Sequence, residues 1–599
     1  MTATKAKVMC AKLLIVESPG KVKKLQGFLG SEWKVAASVG HVRDLPVKEM
    51  GISAPDFILQ YAPTDRGKEV LTKLAALVKK ADGVILATDP DREGEAIAWH
   101  LADALKLKAF QRVTFSEITE NAVRAALTSP RPLDMALVRA QEARRALDRF
   151  CGYLVSGPLS SQAGAKLSAG RVQSPALRLV VEREREIKGF VSTTHYGVEL
   201  AFEQVDNIAA GWKASWNTKA FLPEGQEYLT DKGLAEKVAG MHSLEVLECQ
   251  ESESRSAPPA PFTTSSLQQA ASNALKYSPK KTMELAQKLY EGGHITYMRT
   301  DSPNLAKEAI EAIRSLAEEK GWPLPDAPRT WKAKAGAQEA HEAIRPTHFE
   351  HASAGESDDE KALYALIRLR AIASQLADAV YAVRSLRLGA ALDGKEAVFD
   401  SRGRTLVSPG WKVLLQEDQA DEEEAEPENP VPFMNAGRNV LVLAGKVVTK
   451  KTKPAPRYTD AALVRELEKR GIGRPSTYAA ILDTLQTRGY VITEKRFLVP
   501  TPLGEKVIDA LAGRFSFADY DFTAGMEQAL DDIAAGKAEY RSVVNLAYEK
   551  LHGELAVFIK ATGKACPKCG KAMVHRVKPG KGGYDFWGCS GWPECKEKL

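Results

Sequence analysis

Residues 87–95, Ala-Thr-Asp-Pro-Asp-Arg-Glu-Gly-Glu, constrain this chain more than any other segment. Before them, Gly83 to Ala87 reads as a short buried strand. After them, Ala96 to Leu105 carries the 3.6-residue apolar period of an amphipathic helix. A strand passing into a helix through an acidic turn is a unit of an open α/β sheet, and such sheets hold ligands at the carboxyl ends of their strands. Asp89, Asp91 and Glu93 crowd that end. Like charges so close repel, and a divalent cation with oxygen ligands relieves them, so the pattern points to Mg²⁺. The helix dipole would also welcome an acid there, but one would suffice.

A chain of 599 residues is too long for a single core, so several domains are expected. With 44% apolar and 27% charged residues the composition is that of a soluble globular protein. No run of about 18 apolar residues exists to span a membrane. Met1 to Lys12 lacks a signal-peptide core, so a cytoplasmic location is expected. Net charge is +6, unevenly spread: Lys564 to Leu599 has eight Lys/Arg against three Asp/Glu, and Glu417 to Glu428 has eight acids and no base. The basic tail and body suit a nucleic-acid partner, while the acidic run reads as a solvated loop or linker.

Of seven cysteines, Cys10, Cys151 and Cys249 are scattered and read as inert thiols. Cys566, Cys569, Cys589 and Cys595 form a C-x₂-C…C-x₅-C set, the spacing of a structural Zn²⁺ site. A segment so short, with Gly580, Gly582 and Gly583 in its middle, needs the metal to fold. Tyr584, Phe586, Trp587 and Trp592, interleaved with Lys578, Lys581 and Lys596, suit stacking on unpaired bases; some of these rings also serve the ribbon's own core.

Other motifs are weaker alone. Strand Lys12 to Val16 leads into Glu17-Ser18-Pro19-Gly20-Lys21, which puts Glu17 beside the acidic triad and Lys21 within reach of a phosphate. The helix Leu137 to Phe150 holds Arg139, Arg144, Arg145 and Arg149, more cation than a solvated face needs. Leu167 to Pro175, with Ser168, Arg171 and Gln173, is a small, polar, basic loop fit for phosphates. Thr263 and Ser278 mark helix starts. After Gly292-Gly293, an extended stretch from His294 to Ser302 would point Tyr297 and Arg299 to one side. A phenol, with its pKa near 10, attacks more readily beside a guanidinium. In isolation a packed ring is the commoner reading of any tyrosine, and His341 is equally ambiguous.

Taken together, Glu17–Lys21, Ser38–Pro46, Ala87–His100, Ala143–Arg149, Leu167–Pro175, Ile295–Ser302, His341–Pro346 and Gly471–Tyr478 occur in an order that resembles the bacterial type IA DNA topoisomerases, the topoisomerase I branch. The resemblance runs from about residue 12 to 555, and the cysteine segment is similar to that family's carboxyl-terminal zinc ribbons. It implies a multidomain α/β plus α+β chain with a toroidal core. The expected parts are a Toprim domain (1–152), a split helical DNA-binding domain (153–195 and 455–555), a split β-arch (196–255 and 380–454), a tyrosine-bearing catalytic domain (256–379) and a zinc ribbon (563–599). Independently, 430–450 alternates like strands and 460–490 reads as helical.

The resemblance also implies roles. Tyr297 matches the nucleophile, Arg299 its positioning partner, and Glu17 the residue that moves a proton at the leaving 3′ oxygen. Lys21 matches a phosphate-stabilising lysine and His341 a histidine that supports cleavage. Asp89, Asp91 and Glu93, with Glu17, match Mg²⁺ carboxylates. Arg474, Ser476 and Thr477 join Arg144, Arg145, Arg149, Ser168, Arg171 and Gln173 as DNA contacts, and Pro475 suits a first helical turn. The implied enzyme is an ATP-independent monomer that relaxes negatively supercoiled DNA through a 5′-phosphotyrosine; no G-x-x-x-x-G-K-[ST] loop is present for ATP. A topoisomerase III-like decatenase and a Toprim nuclease are the alternatives.

Overall fold

The computed structural model describes residues 12–163, 165–203, 211–332, 342–415, 429–561, 566–570, 573–578, 584–589, 591–592 and 595–599. Cys10 and the acidic run at 417–428 lie outside the described residues.

Near the amino terminus, strands Trp33–Ala37, Lys12–Val16, Val84–Ala87 and Gln111–Arg112 form a parallel sheet in that order. Strand alternation divides its faces. Leu13, Ile15 and Leu86 pack beneath Leu74, Ile97 and Leu101 of helices Asp65–Val78 and Arg92–Ala104. Leu14, Val16 and Ile85 face the other way, against Leu285, Leu289, Tyr290 and Ile367 from a body far along the chain. The sheet therefore buries both faces; on the second, Leu25 and Leu29 of helix Gly20–Leu29 and Val123 of helix Glu120–Thr128 share a core with the tyrosine-bearing body.

Helix Arg92–Ala104 starts earlier than the apolar period indicates, because Asp91 caps it: its Oδ1 accepts from the Gly94 amide at 2.8 Å. One turn on, Glu95 is fully buried and accepts from Arg112 Nε at 3.0 Å and Arg131 NH2 at 2.7 Å. Removing this carboxylate strands the buried Arg112. Glu95→Gln is expected to cost about 3–5 kcal/mol, read by urea denaturation; an unchanged midpoint would show that Arg112 finds another partner.

Strands Trp212–Asn217, Lys395–Ser408, Ala379–Leu392, Ser243–Ser256, Asn439–Lys451 and Thr194–Phe202 close, in that order, into a barrel filled by side chains such as Leu200, Phe202, Trp212, Leu388 and Phe399. The last strand begins only at Asn439, later than the alternation from 430 indicates. Between the barrel's two halves in sequence lies the tyrosine-bearing body, with helices Thr264–Ala270, Pro279–Glu291, Lys307–Lys320 and Asp358–Ser374. Helices Met135–Phe150, Gln173–Gly189, Asp460–Lys469, Tyr478–Thr487 and Tyr520–Ala534 share another core. The helical stretch expected over 460–490 is two helices, broken where Gly471 and Gly473 take φ of +71° and +79°.

Candidate active site between three bodies

The sheet's acidic turn, the tyrosine-bearing body and the loop at 471–477 meet around Asp91. Residues 294–302 form an irregular segment, not the extended strand expected. Two buried threonines clamp it. Thr296 Oγ1 donates to the Ala343 carbonyl at 2.9 Å, and Thr264 Oγ1 donates to the Met298 carbonyl at 2.7 Å and accepts from the Thr300 amide at 2.9 Å. Held this way, Tyr297 and Arg299 still converge. The Tyr297 hydroxyl donates to Asp91 Oδ2 at 2.8 Å, and Arg299 NH1 reaches the same oxygen at 3.3 Å. Across the interface the Tyr297 amide donates to the Ser116 carbonyl at 2.7 Å. Tyr297 is 3% exposed. Burial, followed by the Asp91 charge, raises its pKa well above the usual value, against the pull of Arg299.

Each neighbouring acid has its own setting. Burial pushes the Asp91 carboxyl up, but Arg299, the Gly94 amide and the Tyr297 hydroxyl more than offset this and hold it below its ordinary range. Asp89 is ion-paired with the fully buried Lys21. Glu93 accepts from Arg144 NH1 at 3.0 Å, and Arg144 also reaches Ser476 Oγ at 3.2 Å, which ties the acidic helix to the 471–477 loop. Glu17 is pushed up to about 8, first by burial and then by Asp89 and Asp91. Its Oε2 is buried with no hydrogen-bond partner. An orphaned carboxylate oxygen among acids is the donor chemistry a hard divalent cation completes.

One glycine is required by close approach: a Cβ on Gly94 would lie 2.3 Å from the Asp89 carbonyl oxygen. The site opens into a cleft of about 730 Å³ lined by Glu17, Asp89, Gln287, Arg299 and Ser476 among others. Val39, a β-branched residue at φ +58°, also lines it, a strained conformation of the kind found at functional sites.

The remaining expected DNA contacts divide. Arg145 forms a two-pronged pair with Asp44 at 2.8 Å and 2.8 Å, and Arg149 donates to the Pro46 carbonyl at 3.0 Å. Ser168 Oγ meets Tyr490 Oη at 3.0 Å. Arg171, 2% exposed, is engaged by Asp148 and Glu527, so in this closed form it holds helices together and presents nothing to a phosphate. Gln173 begins helix Gln173–Gly189. Arg474 pairs with Asp531, and the Arg474 amide donates to Thr477 Oγ1 at 2.8 Å. Pro475 stands in a turn ahead of helix Tyr478–Thr487, not in its first turn as expected. His341 lies outside the described residues. Sequence reasoning missed Tyr290, Glu527 and Asp531, whose partners Lys21 and Phe115, Arg171, and Arg92 and Arg474 lie far along the chain and leave no local pattern.

In the ribbon, hairpin strands Met573–Lys578 and Tyr584–Cys589 bring the four cysteine sulfurs within 4.8 Å of one another. Cys566 and Cys595 are 3.7 Å apart, and Cys569 and Cys589 are 3.3 Å apart. A tetrahedron of thiolates around an ion at about 2.3 Å has edges of about 3.8 Å, so the set has the size of a four-thiolate metal site. Trp587 packs on that core, and Trp592 is 65% exposed.

A parallel sheet thus sets its acids against a tyrosine carried by a separate body, which is joined to it through a barrel. Residues 12–118 match the Toprim domain and residues 132–545 match DNA topoisomerase. A plasmid DNA topoisomerase I of Xylella fastidiosa is 53% identical over 592 residues, spanning 98% of this chain and 89% of that protein. DNA topoisomerase 1 of Salmonella typhimurium is 39% identical across 97% of this chain and 71% of its own. The structure of full-length topoisomerase I from Thermotoga maritima superposes with a TM-score of 0.80 at 35% identity, covering 98% of this chain and 97% of that one. The chain belongs to the type IA DNA topoisomerase family. It is a type I DNA topoisomerase, an isomerase acting on DNA, with a Toprim domain suited to divalent metal and a four-cysteine cluster. Among the described residues no helix is long and apolar enough to cross a membrane.

Proposed function

We propose that Tyr297 is the nucleophile, and the observation that carries this is its hydroxyl lying 2.8 Å from Asp91 at the meeting of three bodies. Its oxygen gives up its proton by way of Asp91, the acceptor of its hydrogen bond, to solvent and attacks a backbone phosphorus; the bond from phosphorus to the 3′ oxygen breaks, and that oxygen leaves as a hydroxyl. Glu17, protonated at neutral pH by its raised pKa, supplies the proton of that hydroxyl. Lys21 and Arg299 offset charge on the phosphoryl oxygens, the term that dominates such transfers. Asp89, Asp91 and Glu93 would hold Mg²⁺, which would add electrostatic stabilisation when bound, and Glu17 would join them as a carboxylate only after giving up its proton. One phosphate ester replaces another, so rejoining needs no ATP. Between the two steps the tyrosine-bearing body swings from the sheet as a hinge, and a strand passes.

The substrate is unpaired or negatively supercoiled DNA, acted on by a cytoplasmic monomer, and the net result is relaxation. Arg144, Arg145, Arg149, Ser168, Gln173, Arg474, Ser476 and Thr477 line its path, with Arg171 bracing the helices behind them through Asp148 and Glu527. The boundaries given above divide the chain into its functional parts. Relaxation of negatively supercoiled plasmid is expected to outpace decatenation of linked single-stranded rings; the reverse order would make this a decatenase.

Zn²⁺ fills the cysteine set, and the ribbon grips single strands with Trp592. Deleting residues 564–599 should weaken single-strand affinity and processivity while sparing oligonucleotide cleavage. Loss of all cleavage would make the ribbon part of the catalytic fold. Stripping the metal with a thiol-selective chelator should reproduce the deletion.

A further inference from the structure

Tyr290 is fully buried at the end of helix Pro279–Glu291, and it makes three contacts of different kind. Its ring face lies 4.9 Å from the Lys21 ammonium. The same ring meets the Tyr297 ring in a T-shaped pair, centroids 5.2 Å apart at 68°. Its hydroxyl donates to the Phe115 carbonyl at 3.2 Å. Lys21 and Phe115 belong to the sheet body, whereas Tyr290 and Tyr297 belong to the tyrosine-bearing body.

Lys21 is fully buried, and Asp89 is its ion-pair partner. A buried ammonium is costly unless its surroundings share the charge, and an aromatic face does so. The T-shaped pair packs the two tyrosines together, and it is the face of the Tyr290 ring that fixes the lysine. Neither contact to the sheet body survives separation of the two bodies.

We propose that Tyr290 is a positioning residue that couples closure of the two bodies to assembly of the cleavage site, seating the Lys21 ammonium beside Tyr297 only when they are docked. The inference rests on the roles proposed for Lys21 and Tyr297. Through Lys21 it governs the rate of the covalent step, and through its hydroxyl it helps hold the bodies together.

The test is a double-mutant cycle on oligonucleotide cleavage, followed as single-turnover formation of the protein–DNA adduct with DNA affinity measured alongside. Tyr290→Leu removes the ring and is expected to slow adduct formation roughly 10-fold, with affinity little changed. Tyr290→Phe keeps the ring and should lose far less. In a Lys21→Ala background, Tyr290→Leu should add little further loss, because the lysine it seats is gone. Equal losses in both backgrounds, or equal losses for Leu and Phe, would reduce Tyr290 to a packing residue and overturn the inference. Should Lys21→Ala by itself leave cleavage intact, the role proposed for Lys21 falls first, and the coupling through it falls with it.

Discussion

Tyr297→Phe should abolish relaxation, with a loss of about 10⁴-fold or more, while leaving the fold and DNA binding in place. The substitution deletes a single oxygen. The ring keeps its T-shaped contact with Tyr290, and Arg299 keeps Asp91 as a partner. Losing the hydrogen bond from Tyr297 to Asp91 costs little stability, because Asp91 Oδ1 still caps Gly94 and Oδ2 still faces Arg299. An activity loss without an unfolding signal therefore isolates the nucleophile. Relaxation within a few-fold of the unsubstituted protein would mean that another group attacks the phosphate.

The second large effect is expected on the acids. Asp89→Ala combined with Asp91→Ala should retain DNA binding and lose Mg²⁺-dependent relaxation by roughly 10³-fold. Here the structure foresees a dual cost. Asp91 caps helix Arg92–Ala104 and orders Tyr297 and Arg299, whereas Asp89 takes the charge of buried Lys21. The Asp91→Asn single variant separates these duties, since its one amide oxygen can still cap the helix at Gly94, while the amide nitrogen that replaces Oδ2 cannot accept from Tyr297 or Arg299. It should fold like the unsubstituted protein, and its relaxation should need a higher Mg²⁺ concentration. Unchanged relaxation by the double variant at low Mg²⁺ would refute the metal assignment.

The parts of this site legible in the sequence are those built from neighbours. Val84–Ala87 and helix Arg92–Ala104 are visible because strand and helix periods change across the acidic turn, and the cysteine set is visible because ligand spacing is local. Convergence of Tyr297 and Arg299 was expected from strand alternation, yet it arises from an irregular segment pinned by Thr264 and Thr296. Closure of the barrel pairs Thr194–Phe202 with Asn439–Lys451, strands far apart in the chain, and no local pattern specifies such a register. Arg171 looked like a phosphate contact because its acids, Asp148 and Glu527, come from other helices. Tyr290 carries no signal of its own in the sequence, since only the docked sheet body gives its ring a cation. Residues from the family motifs were thus easier to find than the side chains that hold them in place.

Covalent trapping tests the central claim most directly. The protein is mixed with single-stranded DNA labelled downstream of the cut and quenched with denaturant, and the labelled peptide is then mapped. Label on the peptide containing Tyr297 is the predicted result and establishes a 5′-phosphotyrosine enzyme. Cleaved DNA with no labelled protein would contradict it, leaving a metal-dependent nuclease in which Tyr297 only packs.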